Sequence, residues 1–191
     1  MAAATLTKAM LEDLHKGMAA ISLVAYPSGG VDFDTLDFKS ADQIFTIKDS
    51  FNLTPSNSST EEIKIDQRDE AIDTTVTKGE WTMAGNIPSV ATALLAYFFN
   101  QGQTVASLIG QEGDTYAGAG YFSEAKEVIC SVLIESASKK TAIAFARVKF
   151  VVNGISIEGT DTPSYLAFTG SVLANTMSGK GDFAVLKNMA L

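Results

Sequence analysis

Between Gln43 and Ala174 the chain is a series of short β-type segments cut by Pro, Gly, Asn and Ser, and only one stretch breaks the rhythm. Brief runs of β-branched and aromatic residues suit a pleated, half-buried surface and are too short for ordinary helices. Gln43-Ile-Phe-Thr-Ile-Lys48 is followed by Ser50-Phe-Asn-Leu-Thr54, and Pro55-Ser-Asn-Ser-Ser59 marks a turn. Glu61-Glu-Ile-Lys-Ile-Asp66 alternates, with Ile63 and Ile65 on one face. Asp73-Thr-Thr-Val-Thr77 and Gly79-Glu-Trp-Thr-Met-Ala84 continue the pattern. Upstream, Ala19 to Tyr26 reads as a strand stopped by Pro27-Ser-Gly-Gly30, and Thr7 caps a short helix through Gly17.

The exception is a helical period. Val90, Leu94 and Phe98 recur every four residues, as do Ala91, Leu95 and Phe99. Pro88 and Ser89 supply start signals and Gly102 a C-terminal stop. This helix presents a broad apolar face made by Val90, Leu94, Leu95, Phe98 and Phe99, which must pack against something, most simply a sheet. Strands then resume: Glu127 to Glu135, a turn at Ser136-Ala-Ser-Lys-Lys140, and Thr141 to Val152, with Ile143, Phe145, Arg147 and Lys149 expected on one side. Asn153-Gly154 is the strongest hairpin signal and is expected to turn the chain into Ile155-Ser-Ile-Glu158. A last strand runs from Tyr165 to Ala174. Strands at this spacing with one mid-chain helix predict a mainly β protein, a sandwich or barrel. With no long linker and no internal repeat, residues 1–191 read as a single domain.

Composition narrows the function. Hydrophobic residues make up 46% and charged residues 19%, which supports a packed core and excludes disorder. The net charge of −8 argues against gripping nucleic acid or an anionic membrane, both of which call for clustered Lys and Arg. Cys130 is the sole cysteine and His15 the sole histidine, so neither a disulfide, a zinc site nor a Cys-His pair is expected, and no cofactor. Val90 to Phe99 is too short for a membrane span, and no signal peptide precedes the first strand. The sequons at Asn52 and Asn57 read as chance matches in a polar turn. Asp32-Phe-Asp-Thr-Leu-Asp37 invites a calcium-loop reading but lacks the glycine and terminal glutamate of an EF-hand. Tyr116-Ala-Gly-Ala-Gly-Tyr-Phe122 fails as a dinucleotide motif because a strand, not a helix, follows it. No carboxylate pair has the pocket that acid–base chemistry needs, so an enzyme is not expected.

The acidity is uneven. Residues 1–95 hold 14 acidic and 7 basic side chains, and residues 96–191 hold 8 and 7. Glu61, Glu62, Asp66, Asp69, Glu70 and Asp73 face only Lys64 and Arg68 within one short stretch. Asp66 to Asp73 is read either as a solvated loop or as an extended arm that pairs with a neighbouring copy, with Ile72 near its tip.

Asp49-Ser-Phe-Asn-Leu-Thr54, the polar turn, Glu62-Ile-Lys-Ile-Asp-Gln-Arg-Asp69 and Ile72-Asp73 together resemble the long hairpin of phage major tail tube proteins. Gly79-Glu-Trp-Thr-Met-Ala-Gly-Asn-Ile-Pro88, running straight into the helix, is similar to their strand-to-helix junction. The late hairpin expected at Asn153-Gly154 fits the same layout; the resemblance is best over residues 43–100, and elsewhere only the order of elements matches. It implies a β-sandwich or half-barrel protomer with one flanking α-helix, hexameric rings whose inner strands join into one barrel, and stacked rings forming a tube. Contractile injection and secretion tubes share that plan. It further implies a virion protein made in the host bacterial cytoplasm. Its partners would be copies of itself and other tail proteins, with DNA as non-specific passing cargo and no membrane. The subunit and ring contacts would involve Glu61, Glu62, Asp66, Arg68, Asp69, Glu70, Ile72 and Asp73. Rival readings are another virion component, a carbohydrate-binding β-sandwich, or an enzyme built on a closed, lipocalin-like barrel with a ligand pocket.

Overall fold

A computed structural model describes residues 20–56, 59–65, 68–77, 79–88, 92–157 and 164–189; within 59–77 and 92–94 it describes the backbone course alone. The expected helix from Thr7 to Gly17, together with Asp66 and Val90, lies outside the described residues. The described chain is mainly β and its sheets are antiparallel, consistent with a β-sandwich.

The strands are β1 (Ala20–Ala25), β2 (Asp42–Ile44), β3 (Asn52–Pro55), β4 (Ser59–Ile65), β5 (Arg68–Thr77) and β6 (Trp81–Ile87). The helix α1 (Thr92–Phe98) comes next, then β7 (Phe99–Ile109), β8 (Thr115–Ala125), β9 (Val128–Glu135), β10 (Thr141–Ser156), β11 (Tyr165–Val172) and β12 (Phe183–Lys187). Eight strands make one sheet in the order β2-β1-β9-β10-β11-β6-β3, with β12 also paired to β10. Two hairpins, β4–β5 and β7–β8, form separate two-stranded sheets.

β10 organises the large sheet. One of its edges pairs with β9; along the other, Thr141–Phe145 pairs with β12 and Val148–Ser156 with β11. Between these two partners the register with β9 shifts, from Phe145 to Val148, and that irregularity changes which parity faces inward. The simple alternation expected for this strand therefore breaks. Ile143, Arg147 and Lys149 are half-buried, whereas Phe145 joins Ala144, Ala146, Val148 and Phe150 in the interior.

The hairpin expected at Asn153-Gly154 does not form. β10 continues through it, and its register against β11 steps from Val152↔Phe168 to Gly154↔Ala167, leaving Asn153 as the extra residue of a bulge. Gly154 has φ +132°, a backbone state open to glycine at little cost. The same residue preference serves a type I′ turn and a bulge, so the dipeptide alone does not separate them.

The sheet curls. The Ile47 N–H donates to Asn86 O of β6 at 2.8 Å, only three residues past the end of edge strand β2. Three residues span at most about 11 Å. Five strand spacings separate β2 from β6 in the sheet order, about 24 Å if flat. The ends of the sheet therefore face each other across one core. That core holds Ile21 and Leu23 of β1, Met83 and Ile87 of β6, Phe145 and Phe150 of β10, and Phe168 of β11. Phe150 and Phe168 meet at 5.5 Å between ring centroids.

Candidate assembly surface

α1 ends sooner than expected. Its last residue is Phe98; Phe99 already belongs to β7, and Gly102 lies inside that strand. Lys126 closes the helix, its backbone N–H donating to Phe98 O at 2.7 Å and its Nζ to Ala96 O at 2.7 Å. A cation on terminal carbonyls is favourable there. Of the expected packing face, Phe98 and Phe99 are buried and Leu95 is half-buried; the Leu94 side chain is outside the description.

From that junction a long hairpin emerges. β7 and β8 are 11 residues each and pair from Phe99↔Ala125 at the base to Ile109↔Thr115 at the tip, with three register irregularities. The tip is closed by Gly110 N–H donating to Asp114 O at 2.7 Å. Apart from Phe99, every residue of β7 except the half-buried Val105 is exposed. Leu108, Ile109, Tyr116 and Phe122 leave apolar surface in water, Ile109 with 75% of its area accessible. At the base, Leu95, Phe99, Tyr121, Phe122, Ser123, Gly154 and Ile155 line an open cleft of about 250 Å³. It is apolar apart from a tyrosine and a serine hydroxyl, and offers no paired acid and base.

β7 is what sequence reading missed. The helix was expected to stop at Gly102, and residues 103–115 carried no assignment. The usable signal was the turn chemistry of Gly110-Gln-Glu-Gly-Asp114, which sits between two β-rich flanks. The glycine-rich Tyr116–Phe122 segment is itself part of β8.

β4 and β5 form the second hairpin. Ser59 pairs with Thr77, Glu61 with Thr75, Glu62 with Thr74, Ile63 with Asp73 and Ile65 with Arg68. The stretch read as a possible loop is thus mostly strand, since Arg68, Asp69, Glu70, Ile72 and Asp73 belong to β5. Backbone pairing brings Glu61, Glu62, Arg68 and Asp73 into one ladder; Asp66 lies outside the described residues.

Several other polar side chains make contacts within the chain. Asn175 clasps the loop after β1: its Oδ1 accepts from Val31 N at 3.0 Å and its Nδ2 donates to Val31 O at 2.7 Å. Beside it, Lys180 Nζ lies 2.6 Å from Asp32 Oδ2. The hydrogen bond from Lys180, then that from the Asp34 N–H, holds the Asp32 carboxyl below its ordinary value. Asp32 and Asp37 border a second cleft of about 240 Å³, where a lysine already neutralises the first carboxylate. Arg147 lies over the Tyr26 ring, 5.3 Å from its centroid. Cys130 is buried, and burial pushes its thiol up to about 12, which suits a core residue and not a nucleophile. Trp81 packs against Phe145 and Phe183, with ring centroids at 6.2 and 5.8 Å. Among the described residues no group of three or more His, Cys, Asp or Glu is placed to hold a metal. No described helix is long and apolar enough to cross a membrane.

A scan against protein-family models finds no match, and a search of curated proteins finds none either.

Proposed function

We propose that this chain is a structural subunit of a phage tail tube, assembling into stacked hexameric rings whose lumen conducts the genome during ejection. The observation that carries the reading is the β7–β8 hairpin, long, exposed and set outside the large sheet. An isolated two-stranded hairpin is marginal in water, and its outer edges present unpaired N–H and C=O groups. Neighbouring copies that pair these edges satisfy the backbone and close a barrel, which α1 then flanks. Ring closure removes the edge hazard for a chain this rich in strand.

The β4–β5 arm, with Glu61, Glu62, Asp66, Arg68, Asp69, Glu70, Ile72 and Asp73, contacts a neighbouring subunit or ring. The resemblance of residues 43–100 to tail tube proteins supports the same assignment. So does the charge: with −8 per copy, a wall does not neutralise phosphates, and DNA slides past without being held. No catalytic step and no cofactor enters this role. The protein is made in the bacterial cytoplasm and ends in the virion, where other tail proteins cap the tube.

Negative-stain microscopy of the full chain at high concentration tests the proposal. Rings or hollow tubes are expected. A chain that stays monomeric in sedimentation at every concentration overturns it and returns the carbohydrate-binding sandwich or another virion component to the front.

A further inference from the structure

We infer that the tip of the β7–β8 hairpin docks on the Lys139–Lys140 corner of a second copy, a head-to-tail contact; it rests on the tube reading for its occupant. The two patches are complementary in charge. From Trp81 to Ala125 the chain has no Lys or Arg, and the hairpin tip carries Glu112 and Asp114. The turn between β9 and β10 carries Lys139 and Lys140, both exposed, and β12 pairing sets Lys187 opposite Thr141 just beside them. The carboxylates of Glu112 and Asp114 make no ion pair among the described residues, and neither do Lys139 and Lys140.

They also match in apolar surface. Leu108, Ile109 and Tyr116 flank the acidic tip, while Val185, Leu186 and Met189 flank the basic corner, Val185 with 71% and Met189 with 93% of its area accessible. Each patch therefore has an apolar area to desolvate and a charged rim to set register, the arrangement in which rim charges steer and select while buried apolar area binds.

The corner is stiff enough to serve as a receptor. Ser136 N–H donates to Thr141 O at 2.9 Å and Lys139 N–H to Ser136 O at 2.9 Å, while Asn188 donates from its backbone N–H to Lys140 O at 2.8 Å and from Nδ2 to Lys139 O at 3.0 Å. Within one chain the base of the hairpin and the lysine corner lie at opposite ends of β10. The hairpin base meets β10 near Gly154 and Ile155, whereas the lysines precede its first residue, Thr141. Those two ends of β10 are separated by on the order of 40 Å of strand. Unless two copies exchange their hairpins reciprocally, a contact between two different patches repeats from copy to copy and propagates a ring or a stack.

Charge reversal tests the contact. Glu112→Lys with Asp114→Lys in one preparation, and Lys139→Glu with Lys140→Glu in another, are each expected to raise the concentration needed for assembly roughly tenfold or more. Mixing the two is expected to restore association, and circular dichroism of each variant checks that it folds. Raising the salt concentration is expected to weaken wild-type assembly. Folded variants that assemble like wild type, or a mixture that fails to recover, overturn the contact and leave the tube reading standing if the wild type forms tubes. Closed dimers that respond to reversal and rescue support the contact and sink the tube. A wild type that never self-associates overturns both.

Discussion

β10 and β7 are both long antiparallel strands, and they live in opposite environments. Along β10, which lies between β9 on one edge and β11 and β12 on the other, seven of 16 residues are buried and only two are exposed. Along β7 a single residue, Phe99, is buried, and among the described residues β8 is its only strand partner. Both satisfy main-chain groups by cross-strand pairing, but a backbone hydrogen bond contributes little net of the water it replaces. Removal of apolar area from water is what separates them. The large sheet is stabilised by its own core, while Leu108, Ile109, Tyr116 and Phe122 of the hairpin stay exposed. Strand content alone is thus a poor guide to where the stability of this chain resides.

The contrast breaks most visibly under paired truncation. Phe150 is fully buried against Phe168, and Phe150→Ala is expected to cost about 3–5 kcal/mol, a large part of a domain's stability. Ile109→Ala at the hairpin tip is expected to change monomer stability by no more than about 0.5 kcal/mol. Urea unfolding of the dilute protein measures both. If Ile109→Ala matches Phe150→Ala, the hairpin is part of the protomer's own core and the argument for an outside partner fails.

How far the sequence revealed this division depends on what each signal encodes. The β9–β10 hairpin was readable because two apolar runs flank a polar turn, Ser136–Lys140, and both bury one face. β7 was not, because an exposed strand has no buried face to impose a period of two on its side chains. The helical repeat from Val90 to Phe99 ran into it, and four-residue spacing does not mark where a helix stops. Asn153-Gly154 failed for a different reason: the dipeptide reports a permitted backbone state, and the partner strand β11 decided that the state would be a bulge. The Asn175 clasp was invisible because it joins residues 144 positions apart through side-chain and main-chain atoms with no local pattern. The resemblance to tail tube proteins is best over residues 43–100 and loses the late hairpin at Asn153-Gly154, which does not form; neither most of β7–β8 nor the lysine corner was part of it.

A smaller effect asks whether that clasp belongs with the sheet or with the hairpins. Gly30 has φ +86°, and a side chain there would press on the backbone of Met177. Gly30→Ala must therefore strain the backbone and push apart the two loops that Asn175 joins, an expected loss of about 1–3 kcal/mol. If the loss appears in the same cooperative unfolding transition as Phe150→Ala, the clasp is part of the sheet's unit. A separate early transition, or none, places it outside, alongside the hairpins.

The smallest effect isolates the charge within the clasp. Asp32→Asn keeps an oxygen able to accept from the Asp34 N–H and removes the ion pair with Lys180. Because the folded carboxyl lies below its ordinary value of 3.8, its contribution is complete above that value and is lost as pH falls through the lower, folded one. Lys180 is held above its ordinary value of 10.5, chiefly by the hydrogen bond to Asp32, so the same contact is lost only as pH rises through that raised value. Wild type is therefore expected to exceed Asp32→Asn in stability by a constant, small margin between these limits, since exposed pairs contribute little. The margin should vanish in acid, where the carboxyl is protonated and the two proteins become nearly isosteric. A margin that survives in acid would mean that the aspartate acts through its turn geometry and not through Lys180, and the clasp would then hold by hydrogen bonds alone.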